Sequence, residues 1–173
     1  MHTELETRWE KLQHSKRIME ELIVSSGNDA HFQPNQGWSI SQVIEHLLAS
    51  ESGTFGYMKK KSSGGWDTLE EAEEEHHAKS AALIARLESD ERYKAPDVLP
   101  EPSNNFSIEE LVHKWNDLRE DLHAFLQTID KAHFHKLVFR QPAAGMLTVL
   151  HALEFMDAHL LHHLPQIERI GKS

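Results

Sequence analysis

Two imidazoles one helical turn apart are the first residues in this chain whose spacing could do chemistry. His159 and His163 lie in GMLTVLHALEFMDAHLLHHLPQIERI, the stretch Met146–Ile170 with its preceding Gly145. On a helix they project about 40° apart, so both rings can reach one metal ion. They flank the Met156–Ile167 side of an apolar stripe formed by Met146, Val149, Leu150, Leu153, Met156, Leu160, Leu164 and Ile167. His151 and His162 project well away from it. Spacing alone does not decide the matter. With 14 His in 173 residues, about one i,i+4 pair arises by chance. The plain alternative is a histidine-rich helix whose rings cap the edge of the core, and a third ligand from elsewhere would shift the balance.

Composition narrows the chemistry. The chain has 173 residues, 39% hydrophobic and 27% charged, which fits one globular, soluble domain over 1–173 with a substantial core. A net charge of −10 argues against a nucleic-acid partner, since phosphate binding needs clustered Lys and Arg; the basic run Lys59–Lys61 reads as a solvated helix end. There is no cysteine, so disulfides, thiolate metal sites and a Cys nucleophile are excluded. Any thiol chemistry needs a thiol carried in by the substrate. The N-terminal stretch MHTELETRWEK has no apolar signal core, and no apolar run approaches membrane-spanning length. No membrane partner and a cytoplasmic location are the expectation.

Five helices must position these residues. The first is predicted from about Thr3 to Val24, with Leu5, Trp9, Leu12, Met19, Leu22 and Ile23 inward. Gly27, Pro34 and Gly37 then break the pattern. The second starts at Ser39, where Ser39 and Gln42 form a capping box, and its stripe is Ile40, Val43, Ile44, Leu47, Leu48 and Phe55. His46 projects about 60° from Val43 at one edge of that stripe, with Ser50 and Gly53 on its side. Small residues beside a histidine leave open volume for a metal-bound water or a substrate; the alternative is a half-buried His bonded to a neighbouring helix. Glu51 falls inside the stripe and needs a partner. It could orient a ligand histidine or cap another helix.

A third helix is predicted from about Thr68 to Glu88, with Asp67 and Glu70 as its capping pair and a strongly acidic first half. Ser89 to Phe106, with Pro96, Pro100 and Pro102, reads as a long irregular connection. Ser107 and Glu110 open another capped helix, with the stripe Ile108, Leu111, Val112, Trp115, Leu118, Leu122, Phe125, Leu126 and Ile129, ending near Asp130. HFHKLVFRQPAAG reads as a loop, and no strand has convincing alternation. The fold class is therefore all-α, a four-helix bundle. The long segment Lys61–Ser107 carries the chain back along it, leaving its second and third helices parallel and the acidic helix as an accessory on the crossover.

Rival sites fail on the residues. Glu-x-x-His occurs at Glu73/His76 and Glu120/His123, but Glu120 projects opposite the stripe of its helix, so the carboxylate set of a di-iron bundle is incomplete. No G-x-S-x-G or G-x-x-x-x-G-K appears. His46 with His159 and His163 survives. WSISQVIEHLLASE (Trp38–Glu51), followed about a hundred residues later by the His159/His163 stretch, resembles the DinB-like superfamily, which includes bacillithiol S-transferases and related metal-dependent hydrolases.

The resemblance spans nearly the whole chain. It implies an up-down-down-up four-helix bundle with a divalent metal, zinc or nickel, on His46, His159 and His163. One departure is Leu160, where many members carry an acidic residue after the first histidine of the pair. Another feature is Pro165, expected to free the Leu161 carbonyl and kink the helix.

Three neutral imidazoles with solvent-filled positions fit a catalytic site, so the expectation is a metal-dependent thiol transferase or hydrolase acting on a small-molecule substrate, with a low-molecular-weight thiol. Glu51 and Gln166 are candidates to support the ligands. The alternative is a non-catalytic bundle that binds metal or a small ligand and acts through self-association as a homodimer, or through another partner.

Overall fold

Direction along the bundle can be read from which residues meet. The computed structural model describes residues 1–26, 30–34, 37–89 and 99–172. Its long helices are α1 (Thr3–Ser26), α2 (Ile40–Ser62), α3 (Glu74–Leu87), α4 (Ile108–Gln127) and α5 (Val149–Gly171). Between α1 and α5, Arg8 pairs with Glu154 and Ser15 with Asp157, and Gly171 lies against Ser26, so the two run the same way. Ser41 meets Phe106, Glu51 meets Arg119 and Phe55 meets Phe125, so α2 and α4 are also parallel. Trp9 against His123 and Lys16 against Asn116 set α1 antiparallel to α4. The result is an all-α bundle of α1, α2, α4 and α5, with α3 docked on α5.

The ends of these helices follow local chemistry. At Ser39 the hydroxyl accepts from the Gln42 N–H and the Gln42 amide oxygen accepts from the Ser39 N–H, the reciprocal cap the sequence predicts. Ser107 and Glu110 repeat it on α4. The loop before α4 is pinned to α2, because the Glu45 carboxylate accepts from the backbone of Ser103 and Asn104. Asn104 sits in the left-handed region at φ 61°, which asparagine tolerates better than most residues.

Three boundaries differ from the sequence expectation. The third helix begins at Glu74 rather than Thr68. Trp66–Thr68 forms a single 3₁₀ turn, and Glu70 to Ala72 lie extended, bridged to Lys136, with Leu137 N–H bonded to Glu70 O and Ala72 N–H to His135 O. Long-range backbone bonding takes the residues that the Asp67/Glu70 cap and the acidic run assigned to a helix. The Glu73 N–H is then capped by His76 Nδ1 at 3.0 Å.

The loop expected after α4 contains a small hairpin, β1 (Phe139–Gln141) and β2 (Gly145–Leu147), in the register Phe139↔Leu147. Strands of three residues are too short for alternation to show, and Gly145, at φ 79°, permits the tight return. Met146 therefore belongs to β2. The last helix starts only at Val149, behind Thr148, whose hydroxyl accepts from the His151 N–H. It runs unbroken through Pro165. The connection Ser89–Phe106 has residues 90–98, with Pro96, outside the described residues, as is Gly27.

The core is two apolar clusters. One gathers Leu5, Leu12, Phe55, Leu122 and Leu153; the other gathers Met19, Ile44, Leu47, Leu111, Trp115, Leu160 and Ile167. Between them, polar residues interrupt every bundle helix: the buried Ser15 and Lys16, Glu51 and Arg119, and the half-buried His159 on α5. No helix among the described residues is long and apolar enough to cross a membrane.

Candidate metal centre

His46, His159 and His163 meet at the edge of this polar layer. His159 Nε2 lies 3.1 Å from His46 Nε2 and 3.3 Å from His163 Nε2. One nitrogen from each ring falls within 4.8 Å of the other two, a group that could hold a metal ion. Two nitrogens bound to one zinc at about 2.0–2.1 Å with tetrahedral angles are roughly 3.3 Å apart, so the two close spacings suit a shared ion. α2 contributes His46 from the turn after its capped start, against the Trp38 ring at 5.1 Å. α5 contributes the other two one turn apart, with His159 stacked on Phe155, the residue a turn before it.

A neighbour fixes the proton on one of these rings. His163 Nδ1 faces the Gln166 amide oxygen at 2.8 Å; an oxygen can only accept, so Nδ1 carries the hydrogen and Nε2 presents a lone pair. His46 Nδ1 is buried with no hydrogen-bond partner among the described residues, an arrangement that ordinarily costs 1–3 kcal/mol, roughly. His159 Nε2 has one position for a hydrogen and two nitrogen neighbours. A single proton cannot satisfy both well, whereas a cation takes three lone pairs at once.

Burial keeps these rings neutral. It pushes the His46 pKa from 6.5 down to about 4. It pushes His163 to about 4 as well, partly opposed by the Gln166 hydrogen bond. His159 is lowered well below the ordinary value, first by burial and then by the other two imidazoles. Neutral imidazole is the form that ligates metal.

Gln166 is thus in contact with a ring of the cluster. Glu51 is elsewhere: both its oxygens are held by Arg119, and one also by Trp115 Nε1. His162 and His151 face α3. His162 Nδ1 lies 2.7 Å from Leu87 O, and His151 Nε2 lies 3.0 Å from His77 Nδ1. His151 Nδ1 accepts the Thr148 N–H, so its proton sits on Nε2 and bonds His77, leaving no lone pair there for a metal. The His77 partnership went unread in the sequence, although His151 at the third position after a Thr cap was a usable sign. Trp38 and Phe155, which wall the cluster, went unread too; Phe155 precedes His159 by the four residues that place them on one face.

A family model of the DinB superfamily matches residues 4–167. No curated protein matches the chain, and no solved structure does.

Proposed function

The chain belongs to the DinB superfamily, and on that premise we propose that it is a metal-dependent enzyme in which His46, His159 and His163 hold one zinc or nickel ion. Its reaction is transfer of a low-molecular-weight thiol or, failing that, hydrolysis. The observation that carries this reading is the meeting of three Nε2 atoms, one of them fixed as a lone pair by Gln166. When bound, the ion would acidify a coordinated thiol or water enough to make a nucleophile at neutral pH.

The chain's own part is to orient and shield. α2 and α5 set the three rings, Gln166 fixes one tautomer, and Trp38 and Phe155 pack around them. With no cysteine in the sequence, the thiol is a second substrate, and small reduced thiols place the reaction in the cytoplasm.

One observation favours a second reading. No carboxylate hydrogen-bonds to the three rings among the described residues, and the residue after His159 is Leu160. A bundle without a protein base suits a non-catalytic metal or small-ligand binder acting through self-association or a partner.

The test is metal analysis of untagged protein, followed by consumption of an alkylating haloarene with and without a small thiol. The expected result is about one divalent ion per chain, lost in His159→Ala and His163→Ala and kept in His162→Ala. Haloarene loss should need both metal and thiol. Bound metal without turnover in thiol-transfer or hydrolysis assays favours the second reading, and a chain with no metal affinity overturns the metal-dependent enzyme.

A further inference from the structure

Helix α3 is fastened to the bundle lightly. Of its 14 residues Ser80 and Leu83 are the buried ones, with Ile84 and Leu87 half-buried. Little apolar surface anchors it to α5, and elements held this way open well below the free energy of global unfolding. The segment just before it is tied down by backbone. Leu137 N–H bonds Glu70 O, Ala72 N–H bonds His135 O, and Lys136 pairs with Glu71 at 2.8 Å. That strap holds whether or not the helix beyond it is docked. On the helix itself, His77 meets His151 near the start, and the Leu87 carbonyl lies 2.7 Å from His162 Nδ1 at the end.

The contact between the two imidazoles works in one protonation state. His151 Nδ1 accepts the Thr148 N–H, so its hydrogen is on Nε2 and is donated to His77 Nδ1 at 3.0 Å. Both rings are therefore neutral. A proton added to His77 goes to Nδ1 and turns the acceptor into a second donor. A proton added to His151 goes to its Nδ1, against the Thr148 N–H that it caps. Either event costs a hydrogen bond, and both together set two cations with ring centres 4.9 Å apart. The charged and titratable groups around the pair are Glu154, itself paired with Arg8 of α1 at 2.7 Å, His135 and Lys136 on the strap, and Glu73 and Glu74 one turn earlier on α3. The strand β2, which also packs on α3, brings none.

We propose that His77 and His151 form an acid-released latch: protonation of the pair breaks the first contact of α3 with α5, and α3 swings off α5 on the strap Glu70–Ala72. His151 is 7% exposed while α3 is docked, and undocking lets water reach a charged ring there. Burial is the main cause that holds its pKa at about 4; Glu154 opposes it, while His77, Arg8 and His135 add to it. Because docking lowers that pKa from 6.5, the latch is fully closed above about pH 6.5 and weakens as pH falls toward 4. Release uncovers the side of α5 that carries His151 and His162, and the His162 ring lies 5.3 Å from that of His163. The latch stands on contacts of its own and holds with or without a metal at the three-histidine cluster.

The test is amide hydrogen exchange of the full metal-free chain, read on peptides of α3 and of α1 and corrected for the intrinsic effect of pH on exchange. Protection across Glu74–Leu87 should fall at least about tenfold between about pH 7.5 and about pH 5, and at the lower pH α3 should exchange faster than α1. The double variant His77→Gln/His151→Gln should lose that drop. Glutamine titrates nowhere in this range, and at the third position after Thr148 it completes a Thr-x-x-Gln capping box that keeps the start of α5. His77→Ala, on a half-buried site of an outlying helix, should leave α3 as open at neutral pH as the unaltered chain is in acid. Protection of α3 that ignores pH overturns the latch, and so does an equal drop in the double variant. It is also overturned if α3 and α1 exchange at one rate in acid, which means the whole bundle opens, or if His77→Ala leaves α3 fully protected at neutral pH.

Discussion

Two polar clusters start from neighbouring turns of α2 and end in opposite conditions. At Glu51 the carboxylate is closed off: Arg119 grips both oxygens at 2.6 and 2.7 Å, and Trp115 Nε1 adds a bond at 2.8 Å. The guanidinium is used in turn by the Leu12 carbonyl and the Gln13 amide oxygen. At His46, one turn earlier, a nitrogen is orphaned and three Nε2 atoms crowd together. Both places are buried, and both cross between helices. The difference is that the protein completes the first by itself, whereas the three crowded Nε2 atoms of the second have only one another among the described residues, a set that could hold a metal ion. A buried polar group whose partners are all present is architecture; one left short of partners is where a ligand belongs.

The largest effect that sharpens this contrast comes from opening the closed cluster. Arg119→Ala leaves the Glu51 carboxylate buried and unpaired, so unfolding free energy should fall by about 3–5 kcal/mol, measured by denaturant titration of the metal-free protein. Metal capacity per folded chain should stay the same. The double variant Glu51→Leu/Arg119→Leu should recover much of the loss, because it removes both buried charges. If Arg119→Ala instead emptied the protein of metal while leaving it stable, Glu51 would be acting on the histidines and the two clusters would be one.

Next in size is the pH response of the metal-free chain. Burial holds His46 and His163 at about 4 against an ordinary 6.5. The folded-state pKa is lowered, so between these values the unfolded chain binds more protons than the folded one. The stability tied to neutral rings is complete above about pH 6.5 and is lost as pH falls toward 4. The loss should be on the order of 1–3 kcal/mol for each imidazole, read from denaturation midpoints across that window. His151, also held at about 4 chiefly by burial, contributes in the same direction. The His46→Leu/His163→Leu variant isolates the cluster's share, and an unchanged slope would mean that the rings titrate normally in the folded state.

Sequence reading reached the histidines because helices announce themselves. The Ser39/Gln42 and Ser107/Glu110 caps fix the register of α2 and α4, and once the register is fixed, so is the side on which His46 projects. The same geometry pairs His159 with His163 and separates His162 from them. What sequence could not supply was pairing across helices. Glu51 was recognisable as a carboxylate in need of a partner, but Arg119 lies 68 residues on, and nothing local distinguishes it from the other arginines. The hairpin at Phe139–Leu147 and the extended Glu70–Ala72 were hidden for a related reason. The extended segment is set by a backbone bond between distant residues, Leu137 to Glu70, and the hairpin by a bond from Val138 to Leu147 between strands too short to show alternation.

The smallest effect falls on a side chain that hydrogen-bonds the open cluster from outside. Gln166 sits three residues after His163 on α5, and its amide oxygen accepts the Nδ1 hydrogen at 2.8 Å. That bond chooses the tautomer with its lone pair inward and holds the ring against rotation. Gln166→Ala removes the acceptor without touching the other two rings, so metal should still bind but about 10–100-fold more weakly, measured by competition with a chromophoric chelator. Gln166→Glu keeps an acceptor in place and adds negative charge, which makes the imidazole a stronger donor. Its affinity should match or exceed that of the unaltered chain. The pair of substitutions separates support through the hydrogen bond from mere filling of space. If Ala and Glu weakened binding equally, the bond to Nδ1 would carry none of the affinity, and the contrast with the fully braced Glu51 cluster would lie in the three rings alone.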